Sequence, residues 1–156
     1  MQSSNPVLLV EDDQVIAVAV EKAFLSLGLC TPIVHLRNGD EAIEYLRNES
    51  NKKPDLILLD LHMPKINGIE FLKSIKSNPV LRRIPVVMLT TSQNQEDIDE
   101  CFSLNAAGYM IKPLDDKCLT ETIRTITMYW SCSKLPNQQD NFGTMLYKDV
   151  FRNMGV

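Results

Sequence analysis

Short, nearly unbroken runs of apolar residues alternate along this chain with longer stretches in which apolar residues recur every third or fourth position. The short runs are typical of strands buried on both faces of a parallel sheet, and the longer stretches are typical of amphipathic helices. The runs predict five strands, at 7–10, 32–36, 55–59, 85–89 and 108–111. The longer stretches, with their caps, predict five helices, at 14–27, 38–48, 69–76, 92–104 and 114–130.

This alternation of strands and helices predicts an α/β fold in which a parallel sheet has helices on both faces. For five strands we expect the flavodoxin-like (βα)5 three-layer sandwich with the strand order 2-1-3-4-5. In that order the first and third strands are neighbours at the switch point, where ligands of open α/β sheets bind. The residues that follow these two strands are therefore the first candidates for a site.

The composition changes from about Ser133, where the polar, proline-containing stretch KLPNQQDN follows. We therefore expect one domain at 1–132 and a C-terminal extension at 133–156. Apolar residues recur in the extension at roughly helical spacing and predict a short amphipathic helix that could dock on its own domain or on a partner. They are Phe142, Met145, Leu146, Val150 and Met154.

Composition excludes several classes of function. The 156 residues are 44% hydrophobic and 23% charged, and the formal net charge is −4, without the clustered Lys and Arg of a DNA-binding surface. No apolar run approaches the roughly 20 residues of a membrane span, and no secretion signal opens the chain, so we expect a cytoplasmic protein with no DNA or membrane partner. Four cysteines without a CxxC pair predict free, largely buried thiols rather than a zinc site.

Reactive side chains stand at the C-terminal ends of four predicted strands, and such ends share one rim of a parallel sheet. Asp12 and Asp60 can bind Mg²⁺ directly, Glu11 more readily through water, and the backbone carbonyl of His62 can add another oxygen. A divalent ion would relieve the repulsion among three clustered carboxylates. The five candidate side chains are those of Glu11, Asp12, Asp60, Thr90 and Lys112.

Asp60 is the candidate phosphoryl acceptor, because its carboxylate stands at the middle of this rim and could attack a phosphoryl group in line. Mg²⁺ and Lys112 would compensate the added charge, and the Thr90 hydroxyl would donate to a phosphoryl oxygen. Each residue alone has an ordinary explanation, such as a helix cap, a turn or a strand position. Their joint placement favours a magnesium-dependent phosphoryl acceptor.

Four motifs make the chain resemble the receiver domain of two-component response regulators over about residues 5–131. They are VED at 10–12, LLDLHMPKING at 58–68, PVVMLTT at 85–91 and AAGYMIKPL at 106–114. The resemblance implies that Asp60 accepts a phosphoryl group from a phosphohistidine of a sensor histidine kinase or phosphotransfer protein. It further implies that Glu11 and Asp12 help to bind Mg²⁺, and that Thr90 and Lys112 contact the phosphoryl group.

The same resemblance implies a cis peptide bond between Lys112 and Pro113 and a switch residue at Tyr109. On phosphorylation, Thr90 would move toward the phosphoryl group and Tyr109 would turn inward, which would change the surface at 94–130 formed by the fourth helix, fifth strand and fifth helix. A homodimer could form through this surface or through the C-terminal extension.

The run TTSQNQEDI, the ending YW and the later LP resemble a narrower group, the small single-domain regulators often paired with phytochrome-type histidine kinases. This implies a stand-alone regulator with such a kinase as its partner. His62, Thr91 and Ser92 border the expected route of attacking water, and we expect these three to tune the lifetime of an aspartyl phosphate.

Three other functions compete with this interpretation. A haloacid dehalogenase-type enzyme needs a second Asp two residues after the nucleophile, where this chain has His62. A nucleotide-binding protein needs a glycine-rich phosphate loop, and neither GxGxxG after the first strand nor GK[ST] is present. A protein-interaction module of receiver fold that works without phosphorylation stays open, and Asp60→Asn would distinguish it.

Overall fold

The computed structural model describes residues 5–135, which fold as five strands, five α-helices and one short 3-10 turn. The predicted helix of the C-terminal extension lies outside the described residues. The strands are β1 (Val7–Val10), β2 (Ile33–Leu36), β3 (Leu56–Leu59), β4 (Val86–Thr90) and β5 (Gly108–Ile111). The helices are α1 (Gln14–Ser26), α2 (Gly39–Arg47), α3 (Gly68–Ser77), α4 (Gln95–Ser103) and α5 (Asp116–Cys132).

All neighbouring strands pair in parallel, in the order β2-β1-β3-β4-β5. The predicted flavodoxin-like fold is therefore confirmed. The register places Val10 beside Leu59 in the two strands at the switch point, so the residues after them leave the sheet at the same rim. None of the helices between residues 5 and 135 is long and apolar enough to span a membrane.

Two apolar clusters cover the two faces of the sheet, because successive strand residues point to opposite sides. Leu9 belongs to the cluster under α1 and α5, and its neighbour Leu8 belongs to the cluster under α2, α3 and α4. The central strands β1 and β3 are buried along their whole length. In these two strands polar side chains are thereby confined to the ends, which is where Glu11, Asp12 and Asp60 lie.

Side-chain caps fix the starts of the helices at the rim. Asp13 accepts hydrogen bonds from the first turn of α1, and Asn94 accepts one from Glu96 at the start of α4. At α3, Asn67 and Glu70 form a reciprocal capping box, so the helix begins at Gly68, one residue before its predicted start.

The expectation of largely buried cysteines is wrong for three of the four. Cys101 is fully buried in the cluster beneath α4, whereas Cys30, Cys118 and Cys132 are exposed. The exposed three lie in a loop or on outward positions of α5, where a small apolar side chain costs little.

Candidate functional site

Four of the five candidate side chains meet in a compact, mostly buried group at the C-terminal rim of the sheet. Glu11, Asp60, Thr90 and Lys112 are each less than one-tenth exposed, while Asp12 faces solvent. They follow or end β1, β3, β4 and β5, so four strands contribute one or two residues each. This is the convergence that the sequence predicts.

Lys112 forms ion pairs with two of the carboxylates in this group. Its ammonium nitrogen lies 2.5 Å from Glu11 Oε2 and 3.3 Å from Asp60 Oδ2, and its backbone N–H donates to the Thr90 carbonyl. A buried ammonium between two buried carboxylates is tolerable only because each charge has a partner. The site therefore presents one fixed cation opposite an acidic cluster.

The carboxylate of Glu11 is the most perturbed group at the rim. Its pKa is raised to about 7, mainly because burial disfavours the charged form, and nearby Asp60 adds to the rise. Hydrogen bonding from Lys112 acts in the opposite direction, as does the N–H of Asp13, which donates to Glu11 Oε1 at 3.0 Å. Glu11 is thus held by the Lys112 ammonium and by the backbone N–H of Asp13. Its predicted role as an outer metal ligand did not include the ion pair with Lys112.

Three carboxylates at the rim are close enough to share a divalent cation. One oxygen from each of Glu11, Asp12 and Asp60 lies within 4.8 Å of the other two. Oxygen ligands of this kind are those that Mg²⁺ and Mn²⁺ prefer, and an exposed Asp12 beside two buried groups leaves an open side for water ligands. The donor set fits a hard divalent ion.

Backbone contacts hold Asp60 in a single orientation. Its Oδ1 accepts a hydrogen bond from the N–H of Leu61 at 2.8 Å, so Oδ2 is the oxygen turned toward Lys112. Gly68 closes the turn behind it, donating to the Leu61 carbonyl at 2.9 Å. A Cβ on Gly68 would lie 2.3 Å from the Asp60 carbonyl oxygen, so only glycine permits this close approach.

Thr90 and Tyr109 lie on neighbouring strands and are linked through Ser92. The Ser92 N–H donates to Thr90 Oγ1 at 3.4 Å, and the Tyr109 hydroxyl donates to the Ser92 carbonyl at 2.9 Å. Tyr109 is half-buried against the cluster under α2, α3 and α4. His62 and Thr91, which were expected to border the site, are exposed.

The expected cis peptide bond before Pro113 is wrong for this structure, which has no cis peptide bond between residues 5 and 135. The trans form is favoured even before proline, by about 0.5–1 kcal/mol. With the trans bond, the Lys112 side chain still reaches Glu11 and Asp60.

Two contacts that support the site were not predicted. The sequence marks Gly68 as the end of a turn but does not predict its close approach to Asp60. The other contact is that of His35 on β2, whose Nε2–H donates to the Glu11 carbonyl at 2.7 Å and ties the end of β1 to its neighbour. A lone histidine in a strand carries no signal of this role.

Comparison with known proteins places this fold and site in a family. The family model for the response regulator receiver domain matches residues 7–124. The probable methanogenesis regulatory protein FilR2 of Methanothrix harundinacea is 41% identical over 135 residues, which cover 83% of this chain and 87% of FilR2. The response regulator Rcp1 of Synechocystis sp. is 37% identical over 134 residues, which cover 81% of this chain and 91% of Rcp1.

Solved structures agree with these relatives. The phosphorylated cyanobacterial phytochrome response regulator RcpA superposes with a TM-score of 0.80 at 38% identity, covering 85% of this chain and 99% of that one. The Mn²⁺-bound form of Rcp1 superposes with a TM-score of 0.79 at 36% identity, covering 85% and 99%. The chain therefore belongs to the response regulator receiver domain family. It is a signalling protein of two-component systems, in which receiver domains pair with histidine kinases.

Proposed function

We propose that this chain is a stand-alone response regulator that accepts a phosphoryl group on Asp60 with the help of Mg²⁺. The observation that carries the proposal is the buried Asp60 carboxylate, which lies 3.3 Å from the Lys112 ammonium and has an oxygen within 4.8 Å of carboxylate oxygens of Glu11 and Asp12. A stand-alone regulator is supported by the relatives FilR2 and Rcp1, because the matches span most of the length of both.

In the transfer step, an Asp60 oxygen attacks the phosphorus of a phosphohistidine. The new O–P bond forms as the P–N bond breaks, and the electron pair of the broken bond returns to the imidazole. Lys112, which contacts Asp60, would compensate the added charge on the phosphoryl oxygens, and the Thr90 hydroxyl would donate to one of them. Asp12, Asp60 and the His62 carbonyl, with Glu11 through water, would hold Mg²⁺, which would supply further charge compensation.

Intact mass after incubation with acetyl phosphate tests this function. The wild type is expected to gain one phosphoryl group with Mg²⁺ and none with a chelator, and Asp60→Asn is expected to gain none. Asp55→Asn is the matched control, because Asp55 precedes the opposite end of β3 and should not affect transfer. A gain that survives Asp60→Asn would refute the assignment of the acceptor, and a gain that survives the chelator would refute the role of Mg²⁺.

The partner we propose is a sensor histidine kinase of the phytochrome type. The support is the likeness to RcpA, a cyanobacterial phytochrome response regulator. The rate of phosphotransfer from purified, phosphorylated kinases tests this pairing. We expect faster transfer from a phytochrome-type kinase than from a histidine kinase of another type. Equal rates would contradict the proposed pairing.

We further propose that phosphorylation changes a homodimer formed through the surface at 94–130. Each element of that surface exposes an apolar side chain: Phe102 on α4 is 51% exposed, Ile111 on β5 38%, and Tyr129 on α5 65%. Light scattering with and without acetyl phosphate should show a shift in the monomer–dimer ratio that Phe102→Ser abolishes. A shift that only deletion of 136–156 abolishes would assign the contact to the extension instead.

The lifetime of the phosphoryl group gives a further proposal. His62 and Thr91 are exposed, which is compatible with contact to an attacking water. Unchanged dephosphorylation rates in His62→Asn, Thr91→Ala and Ser92→Ala would refute a tuning role.

A regulator that works without phosphorylation is the alternative function, and its partner would bind wild type and Asp60→Asn equally.

A further inference from the structure

Ser92 is the junction of four hydrogen bonds that connect the site to α4 and β5. Its N–H donates to Thr90 Oγ1 at 3.4 Å, and its carbonyl accepts from the Tyr109 hydroxyl at 2.9 Å. Its own hydroxyl donates to Asp97 Oδ2 at 2.6 Å and accepts from the N–H of Asn94 at 3.3 Å. The position of this one residue therefore affects Thr90 and Tyr109 together.

The contact between Ser92 and Asp97 is the shortest of the four. At 2.6 Å it has the length of a charge-assisted hydrogen bond from a hydroxyl to a carboxylate. Asp97 lies in the first turn of α4, where the helix dipole stabilises a negative charge. The side chain of Asn94 caps this helix. The Asp97 carboxylate instead accepts a hydrogen bond from Ser92 in the preceding loop.

The Tyr109 hydroxyl makes its one hydrogen bond among the described residues to that loop. Its ring packs against the cluster that contains Cys101 and Ala106, and its hydroxyl is satisfied by the Ser92 carbonyl. Burial raises the pKa of Tyr109, and the hydrogen bond to Ser92 opposes that rise. If the loop moves away, the hydroxyl loses its acceptor and the half-buried ring position loses a stabilising contact.

We propose that Asp97 is a positioning residue that fixes Ser92 and thereby sets the fraction of molecules in which Tyr109 is hydrogen-bonded and packed inward. Asp97 acts through Ser92, and not through the carboxylates of the site or Lys112. Its consequence for signalling rests on the proposed function, in which Tyr109 is the switch, because Asp97 then sets the starting point of the population shift. The geometric claim stands on the unphosphorylated protein alone.

Fluorine NMR of protein labelled with 3-fluorotyrosine measures this population directly. The chain has four tyrosines, and Tyr109→Phe assigns the resonance of interest. Asp97→Ala is compared with Glu96→Ala, which removes an exposed acid from the same helical turn and serves as the matched control. Asp97→Asn, whose amide oxygen can still accept from Ser92, tests rescue by the conservative change.

We expect Asp97→Ala to lower the ratio of inward to outward Tyr109 about tenfold or more, within the range of a hydrogen bond to a charged group. Glu96→Ala should leave the ratio unchanged, and Asp97→Asn should give an intermediate value. Ser92→Ala should reproduce the effect of Asp97→Ala, and the double variant should add little to either, since the two residues form one contact.

A Tyr109 resonance in Asp97→Ala that coincides with that in Glu96→Ala would overturn the proposal, as would additive effects of the two substitutions. If Asp97→Ala does not fold, Ser92→Ala and Asp97→Asn carry the same comparison. The spectra need no phosphorylated protein, so failure of Asp60 to accept a phosphoryl group would refute the proposed function without affecting this result.

Discussion

The Lys112 ammonium and the Glu11 carboxylate form a buried ion pair, with 2.5 Å between Nζ and Oε2 and less than one-tenth of either side chain exposed. Their strands are not neighbours, because β3 and β4 lie between β1 and β5. The pair therefore spans the rim, and Asp60, which follows the intervening strand β3, makes its own contact to Lys112 at 3.3 Å. One lysine thus contacts two buried carboxylates.

Replacing Lys112 by alanine should leave Glu11 and Asp60 buried without a cation. We expect the free energy of unfolding without Mg²⁺ to fall by about 3 kcal/mol, the cost of breaking a buried pair. Added Mg²⁺ should restore part of the loss, because it would relieve the same repulsion. Urea unfolding with and without Mg²⁺ measures both effects.

The control for this experiment is Lys73→Ala. Lys73 pairs with Glu100 at 3.0 Å, but both side chains are about half exposed, so its loss should cost at most about 1 kcal/mol. Equal losses in the two variants would contradict the central position of Lys112.

A substitution at Gly68 tests the close packing behind Asp60. A Cβ there would lie 2.3 Å from the Asp60 carbonyl oxygen and 2.8 Å from Leu61 Cα, so the turn that carries the acceptor must shift. We expect Gly68→Ala to cost about 2 kcal/mol or more in urea unfolding and to slow acetyl phosphate transfer. In Gly108→Ala the Cβ would meet only Val87 methyl carbons, at 3.6 and 3.8 Å, and a cost below about 1 kcal/mol is expected. A larger loss of stability in Gly108→Ala than in Gly68→Ala would show that the turn at Gly68 is not tightly packed.

Two aspartates should give opposite dependences of stability on pH. Burial raises the pKa of Asp55, whereas hydrogen bonds from Cys118 lower the pKa of Asp115 at the start of α5. The stabilising contribution of Asp55 is present below its unfolded pKa of about 3.9 and is lost as pH rises through its folded pKa. That of Asp115 is present above about 3.9 and is lost as pH falls through its folded pKa.

Asp55→Asn should therefore gain stability relative to wild type as pH rises above about 4, and Asp115→Asn should gain it as pH falls below about 4. Urea unfolding at a series of pH values from acid to neutral measures both differences. If the stability difference from wild type changed with pH in the same direction for both variants, the opposite pKa shifts assigned to Asp55 and Asp115 would be contradicted.

Thiol reactivity should follow burial. Cys101 is fully buried and its pKa is raised to about 11 by burial and by the nearby Asp97 and Glu100. Native protein at mild alkaline pH should therefore react with iodoacetamide at Cys30, Cys118 and Cys132 and spare Cys101, which should react only in denaturant. Peptide mass mapping identifies the sites, and rapid modification of Cys101 in native protein would show that the core beneath α4 opens easily.

Hydrophobic patterning predicts most of this fold, and local chemistry explains the differences. The bounds of β1 and β5 are as predicted, since apolar runs end where polar rim residues begin. The 3-10 turn at Leu81–Arg83 was not predicted, because three residues are too few to show a period. The start of α3 at Gly68 depends on the Asn67 and Glu70 capping box rather than on apolar spacing.

At the site, the sequence predicts which residues converge but not how their charges pair. Glu11 was expected as a water-mediated metal ligand, and its contact with Lys112 depends on side-chain reach across two intervening strands. The hydrogen bond between Ser92 and Asp97 is likewise a product of loop geometry, and serine and aspartate are so common at helix starts that their presence alone does not predict a contact.

The most direct test of the account is to locate the phosphoryl group after incubation with acetyl phosphate and Mg²⁺. Borohydride reduces an aspartyl phosphate to homoserine, and peptide mass mapping then identifies the position. We predict homoserine at position 60 alone, with none when Mg²⁺ is chelated. Homoserine at position 12, or none anywhere after a verified gain of one phosphoryl group, would contradict Asp60 as the acceptor.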